Sequence, residues 1–489
     1  MSRNRVWIAL GLVVLPVLAR TLWHYRGIYR PTTPIQVPSY SDFMPPQPPV
    51  REASIGLPEA GDTDEPARTG QQKVVLFDQA HTNHFEMAEL QSLTSALSAR
   101  GARIEVLDSS FAFDDLGLEG RLKYASAYVV VAPFDVFSPT DVAAVARFVE
   151  RGGRLLVILD PTRTGSGVDL FGFLFLSPSE DVATANQLLE PFDLVFSDDY
   201  LYNLQENEGN FRNVLVRQFA DDPLTEGLQT ITLYAGRSVE TDHGMPLLLT
   251  DSATFSSLTD SGGELAAAAL GRNSGAMALG DLTFLTSPYN TVADNARFIH
   301  NLAAFLLGGE RQRDLRNLPF VFSGPVSVIQ SGNFTLQAET LVALQRMSTS
   351  LETAGVELVF PEEVPDTGDL LVLAFFEPDP AIEDLIDPLE LVLPAEHSDG
   401  QLTVPGFGSF NPAGIGFVGL AVGEDRTIMV LLAEDQAGLV SLLETVGSGL
   451  LSDCLLSGAY ALCQVGESQG FASPESLELD LGLEETLNQ

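Results

Sequence analysis

The chain is 489 residues long, enough for two or three domains, and its 45% hydrophobic and 19% charged residues describe a folded rather than a disordered protein. Asp and Glu number 66 against 26 Lys and Arg, a formal net charge of −40, and Lys73 and Lys123 are the only lysines. A field of that sign repels phosphate backbones and argues against nucleic-acid binding.

The N-terminus inverts this balance. Residues 1–30 carry Arg3, Arg5, Arg20, Arg26 and Arg30 and no acid, and the stretch VWIALGLVVLPVLA (6–19) lies between the arginines. Residues 6–23 predict a single transmembrane anchor, with Arg20 snorkelling to the surface and Trp7, Trp23 and Tyr25 at the interfaces. A signal peptide cleaved after Val17-Leu18-Ala19 and a buried globular helix are the rival readings. Residues 31–72 hold nine prolines and then an acidic, Gly-rich run, the composition of an extended spacer. Anchor and spacer together place the bulk of the chain outside the cytoplasm, on a cytoplasmic membrane.

From Lys73 the pattern alternates strand and helix. VVLF (74–77) predicts a buried strand ending in Asp78, and Leu90, Leu93 and Leu97 mark one face of a helix that stops at Gly101. Strands follow at 104–107, ending in Asp108, and at 128–132. Ser138-Pro139-Thr140-Asp141 then opens a helix, with Ser138 as N-cap and proline in the first turn. That helix buries Val142, Val145, Phe148 and Val149 and stops at Gly152-Gly153. LLVIL (155–159) is the fourth strand, ending in Asp160. Such Val/Ile/Leu-rich strands, joined by helices of about a dozen residues, predict an α/β fold with a mostly parallel sheet covered on both faces. Residues 164–270 are less regular, with short strands near 213–217 and 246–250. AMAL (276–279) precedes Gly280-Asp281, and Asp294 is expected to cap a helix running to Leu307. Residues 318–465 form a second, smaller α/β domain. It holds a helix near 336–353, strands at 357–360, 370–375, 416–422 and 427–433, and a last helix from about Gln436. Residues 466–489 form an acidic tail.

Three segments, KVVLFDQAHTNHFE (73–86), FSPTDVAAVARFVERGGRLLVILDP (137–161) and GAMALGDLTFLTSPYNTVADNARFIHNLAAFLLGG (275–309), resemble a family of membrane-anchored amidotransferase-like domains. Relatives of that family include the auxiliary component of the gliding-motility type of ABC transporter and the intraflagellar-transport homologues. The resemblance covers residues 73–309. It implies a flavodoxin-like, class I glutamine amidotransferase-like three-layer sandwich and a protein partner in a transport or ATPase system.

The catalytic part of that resemblance is missing. Glutamine amidotransferases place a Cys on a sharp strand-to-helix turn and activate it with a His. Residues 73–309 contain no Cys, the fourth strand runs into Asp160-Pro161-Thr162, and no Gly-x-Ser-x-Gly occurs. P-loop, dinucleotide and zinc signatures are absent as well, so no cofactor, metal or catalytic residue is expected. In open α/β sheets ligands bind at the carboxyl ends of strands. Asp78, Asp160 and Asp281, with His81, Asn83 and His84 on the loop after the first strand, are therefore the candidate ligand-binding residues. Ordinary turn and cap chemistry accounts for the same residues and is the favoured alternative. Arg297 and Asn301 read as solvated or helix-packing residues. Cys454 and Cys463 suggest one small disulfide in an oxidising compartment, the alternative being two buried thiols in the last helix. The function expected is a non-catalytic binding or scaffold subunit. A carbohydrate- or metabolite-sensing domain and a metal-dependent hydrolase are the rivals.

Overall fold

A computed structural model describes residues 12–22, 73–108, 117–168, 174–178, 181–259, 262–322, 324–331, 337–352, 355–377, 380, 383–394, 400–423, 426–448 and 451–465. The chain forms two compact units, Met1–Arg68 and Thr69–Gln489. In the first, residues 12–22 are helical, with Leu15, Val17 and their apolar neighbours exposed. No helix among the described residues is long and apolar enough to cross a membrane. The rest of the expected span over 6–23, the spacer and the acidic tail lie outside the described residues.

Among the described residues the second unit contains two large sheets and several two-stranded ribbons. The larger is built from β1 (Val74–Asp78), β2 (Arg103–Leu107), β3 (Ala127–Val131), β4 (Arg154–Ile158), β5 (Gln218–Phe219), β6 (Met245–Leu249), β7 (Ala266–Leu270) and β8 (Ala276–Leu279). Its order is β5-β6-β7-β8-β4-β3-β1-β2. Strands β2, β1, β3, β4 and β8 run parallel, while β7, β6 and β5 add antiparallel. Counted along the chain, the parallel strands read 2-1-3-4-5, the flavodoxin-like order.

Every residue of β1 and β3 is buried, as strands covered on both faces must be. One cover is α1 (Gln91–Ala99) with α5 (Asn295–Leu307), through Leu93, Leu97, Phe298 and Leu302. The other is α2 (Gly117–Leu122), α3 (Pro139–Glu150) and α4 (Val182–Leu189), through Leu118, Val145, Phe148 and Leu188. The α3 cap forms as its sequence predicts, with Ser138 accepting from the Asp141 N–H and Pro139 in the first turn. The α5 cap does not. Asp294 occupies the N-cap position and its carbonyl accepts from Phe298 N, but its side chain makes no cap bond; its Oδ2 accepts instead from Gln229 N at 2.7 Å and Thr230 N at 2.9 Å. Asn301 proves to be a packing residue, donating to the carbonyls of Leu224 and Glu226.

The region read as irregular holds more strand than its sequence suggests. AAAAL forms β7 inside the sheet, between β6 and β8. Alanine favours helix intrinsically, but a buried inner strand with little room beside it selects small side chains over propensity. Two-stranded ribbons fill the rest, among them Leu201–Asn203 with Thr254–Ser256 and Asn213–Val216 with Ile231–Tyr234.

The smaller sheet contains β9 (Val326–Gln330), β10 (Leu358–Val359), β11 (Asp369–Phe375), β12 (Ile415–Val422), β13 (Thr427–Ala433), β14 (Leu455–Ser457) and β15 (Tyr460–Gln464). Its order is β10-β9-β11-β13-β12-β15-β14, parallel from β10 to β13 and antiparallel beyond. Helices α6 (Ala338–Glu352) and α7 (Gln436–Gly447) cover one face through Leu344, Met347, Leu439 and Leu442. Leu389, Leu393 and Leu402 cover the other against Phe417. The cysteines lie beyond the last helix. Cys454 and Cys463 form a disulfide across the β14–β15 hairpin, one position past the Leu455–Leu462 pair, with Cα atoms 4.4 Å apart.

The segment from Glu310 to Phe322 joins the sheets. Arg311 donates to the carbonyls of Phe148 (3.2 Å) and Leu122 (3.1 Å) and lies 4.5 Å over the Phe148 ring. Arg151 bonds Asp314 at 2.8 Å and also Asn317, whose amide donates to Lys123 O at 3.0 Å. Leu315, Leu318, Val321 and Phe322 enter the core of the smaller sheet. Gly152 is required here: its φ is +88°, and a Cβ would stand 1.9 Å from the Glu310 carbonyl oxygen.

Replacing both Cys454 and Cys463 by alanine is expected to cost the smaller domain about 2–3 kcal/mol, from the entropy of a short closed loop. Hydrogen exchange checks it: protection should fall in β14 and β15 and stay unchanged in β1 and β3.

Candidate functional site

The strand order reverses beside β1, whose neighbours β2 and β3 lead in opposite directions across the sheet. This is the switch point at which open α/β sheets bind ligands. Asp78 closes β1 there, fully buried, with Oδ2 2.9 Å from His81 Nδ1 and Oδ1 accepting from Ala80 N at 3.2 Å. The His81 ring is buried and stacks on Phe137, centroids 3.8 Å apart and planes 25° apart. On the neighbouring strand the buried Tyr128 hydroxyl lies near Asp78. Burial first, then the charges of Asp78 and Asp141, hold that phenol's pKa well above its ordinary value.

Asn83 is structural in its contacts: Oδ1 accepts from His81 N at 3.0 Å and Nδ2 donates to Val131 O at 2.9 Å. His84 is exposed; its N–H donates to Ala132 O at 3.1 Å and its ring meets Phe134 edge-on at 6.3 Å. Phe134 N and Asp135 N both donate to His81 O. The loops after β1 and β3 are thus laced together, and each carries a non-glycine residue in the left-handed region, Thr82 at φ 50° and Ala132 at φ 44°. Such residues persist only where the surroundings enforce them.

Asp160 and Asp281 form a second group, beyond the ends of β4 and β8. Asp160 Oδ1 accepts from Thr162 N (2.8 Å) and Oγ1 (2.5 Å), and Oδ2 from Thr283 N (3.0 Å), Thr283 Oγ1 (2.8 Å) and Leu282 N (3.2 Å). Asp281 Oδ2 accepts from Tyr234 N at 2.6 Å and Oδ1 from Thr283 N at 2.7 Å. Both side chains are fully buried. Burial, and next the charge of Asp160, push the Asp281 carboxyl well above its usual range, against the backbone donors that favour the anion.

The six candidates therefore separate into Asp78 with His81 and Asn83, Asp160 with Asp281, and an exposed His84. Among the described residues no three His, Cys, Asp or Glu side chains are grouped so as to hold a metal ion. Chemically, Asp78 fixes the orientation of the His81 imidazole, as a triad carboxylate does. Asp160 occupies the turn after β4. At the end of β3 the left-handed residue is Ala132, which offers only a methyl group. Sequence reasoning missed Tyr128, Phe137 and Thr283. Thr162 was findable, because Asp followed two residues later by Thr is a side-chain-to-backbone turn pattern. Tyr128 was hidden inside an apolar run.

No family model matches the chain, and no curated protein matches it. Among solved structures it is similar to the mmIFT52 N-terminal domain, at 17% identity and a TM-score of 0.37, over 48% of this chain and 97% of that one. It is also similar to a putative ThuA-like protein from Bacteroides uniformis, at 13% identity and a TM-score of 0.31, over 49% and 91% of the two chains. The glutaminase domain of Trypanosoma brucei CTPS matches at 10% identity and a TM-score of 0.24, over 49% and 95%.

The Asp281 carboxyl yields a prediction with a definite sign. Its folded-state pKa lies above the value of 3.8 for an ordinary side chain. The stability this proton contributes is complete below that value and is lost as pH rises through the folded one. Asp281→Asn cannot ionise, and it loses stability at every pH because its single amide oxygen cannot replace both carboxylate oxygens for the backbone donors of Tyr234, Thr283 and Phe284. Its urea midpoint should nevertheless fall less than the wild-type midpoint between about pH 4 and about pH 7. Parallel curves would refute the assignment.

Proposed function

We propose that the chain is a non-catalytic binding subunit whose amidotransferase-like domain serves as a scaffold for a protein partner. Its N-terminal segment would tether it to a cytoplasmic membrane, with the bulk of the chain on the outer face. The observation that carries the reading is Asp160. It follows β4, is fully buried, and has both carboxylate oxygens occupied by Thr162, Leu282 and Thr283, while the strained left-handed turn after β3 carries only Ala132. A carboxylate so saturated organises loops rather than attacking a substrate. The membrane placement is supported by the arginine-flanked apolar stretch and the Pro-rich spacer. The transport or ATPase partner is what the family resemblance implies.

A second reading has one observation in its favour. The Asp78–His81 pair at the switch point could orient a polar metabolite, with no bond made or broken. The metal-dependent hydrolase is disfavoured by the separation of the carboxylates into two groups.

On the first reading purified protein shows no glutaminase, amidase or esterase turnover; His81→Ala with His84→Ala lowers stability, because Asp78 loses its buried partner, but leaves cross-linking to the membrane partner intact. Turnover that the double variant abolishes would overturn the proposal. Protease added to intact cells should cut within residues 31–72; complete protection would remove the outer-face placement alone.

A further inference from the structure

The ribbon of Leu201–Asn203 and Thr254–Ser256 has two unlike faces. Leu201, Asn203, Thr254 and Ser256 are buried, so alternation turns Tyr200, Tyr202, Leu204 and Phe255 to the other side. There Tyr202 and Phe255 form a directly opposed cross-strand pair, with ring centroids 5.8 Å apart. Tyr200 lies 6.1 Å and Phe211 6.4 Å from Tyr202. Arg212 sits over both flanking rings, 4.6 Å from Tyr200 and 5.5 Å from Phe211. The surface is open: Phe211 is 41% exposed, Leu204 72% and Leu258 63%.

Cross-strand aromatic pairing stabilises a two-stranded ribbon and accounts for Tyr202 and Phe255. It does not account for Arg212. In a chain with 66 acids and 26 Lys and Arg, no carboxylate among the described residues pairs with that guanidinium. Instead the exposed Arg212 lies over two rings, its backbone N–H donates to Asn210 Oδ1 at 3.0 Å, and its guanidinium makes no hydrogen bond to the described residues. Beside it the connecting segment presents the exposed amides of Gln205 and Asn210.

We propose that this face is a binding platform for a neutral oligosaccharide of linked hexopyranose units. A pyranose presents an apolar C–H face that lies against aromatic rings, and a rim of hydroxyls that accept from a guanidinium and exchange hydrogen bonds with amides. Four adjacent rings suit a ligand of more than one sugar. The net charge of −40 opposes an anionic ligand, and the exposed donors of Arg212, Gln205 and Asn210 suit hydroxyls better than an apolar peptide face. The platform is remote in sequence from Asp78 and Asp160 and does not depend on the scaffold reading or on the membrane placement.

The test is calorimetric titration of the full-length protein, in a detergent without sugar headgroups, with cellohexaose, mannohexaose and chitohexaose, and with a proline-rich decapeptide as control. At least one hexasaccharide should bind in the low-millimolar range or tighter. Tyr202→Ala should weaken it roughly threefold to tenfold. Because Tyr202 also braces the ribbon, Arg212→Leu provides the second reading: it should weaken binding similarly with an unchanged melting temperature. The proposal is overturned if no hexasaccharide binds, if both variants bind as wild type does, or if the peptide is the ligand that the variants lose.

Discussion

The second unit depends on one strip of chain, Glu310 to Phe322, that belongs to two cores at once. Its apolar side chains complete the smaller sheet's core, while its arginine and backbone groups are fastened to the larger domain. Arg311 is the central fixture. Burial pushes its pKa down to about 10, so it stays cationic at neutral pH although much of it is out of water. Two carbonyls and the Phe148 face replace its hydration, a role for which the planar, multi-donor guanidinium suits better than an ammonium. The approach of the Glu310 carbonyl to Gly152 makes the join a matter of shape as well as charge.

The same logic of satisfying buried polarity locally governs the strand ends. Asp160 ties the turn after β4 to the loop after β8, and Asp281 reaches from that loop to Tyr234. Asn295 does likewise from inside α5, bonding both the N–H and the carbonyl of Thr232. Each carboxylate or amide replaces a regular ladder where strands end and helices begin, so backbone groups that would be orphaned are paired. At the carboxyl-end edge of the larger sheet Asp78, Asp160 and Asp281 are consequently buried and bonded to their own loops.

Much of this was legible in the sequence wherever burial and period agreed. Strands β1, β2 and β4 announce themselves as Val-, Leu- and Ile-bearing runs closing on aspartate, and the Ser138 cap is a local signature. Where two demands conflicted, the reading failed. AAAAL obeys the space between its neighbours rather than alanine's preference for helix. Asp294 has the residue type and position of a cap but serves another loop, because Gln229 and Thr230 approach from a distant part of the chain. The candidate residues were correctly placed at strand ends, yet their division into two groups follows from strand order, which periodicity does not encode. The hairpin holding Cys454 and Cys463 was missed because its first strand is only three residues long.

The placement of β8 has a consequence for how the protein is made. It pairs with β4 at the middle of the larger sheet, yet more than a hundred residues separate them in the chain. A ribosome emitting this polypeptide releases β1 to β4 long before the strand that shields β4's open edge. Until residue 279 emerges, β4 offers a row of unpaired N–H and C=O groups to whatever is nearby, and distant pairings of this kind close slowly. Nascent chains therefore pass through an interval of exposure that the finished sheet does not reveal, and a chaperone or a pause in synthesis would act there to greatest effect.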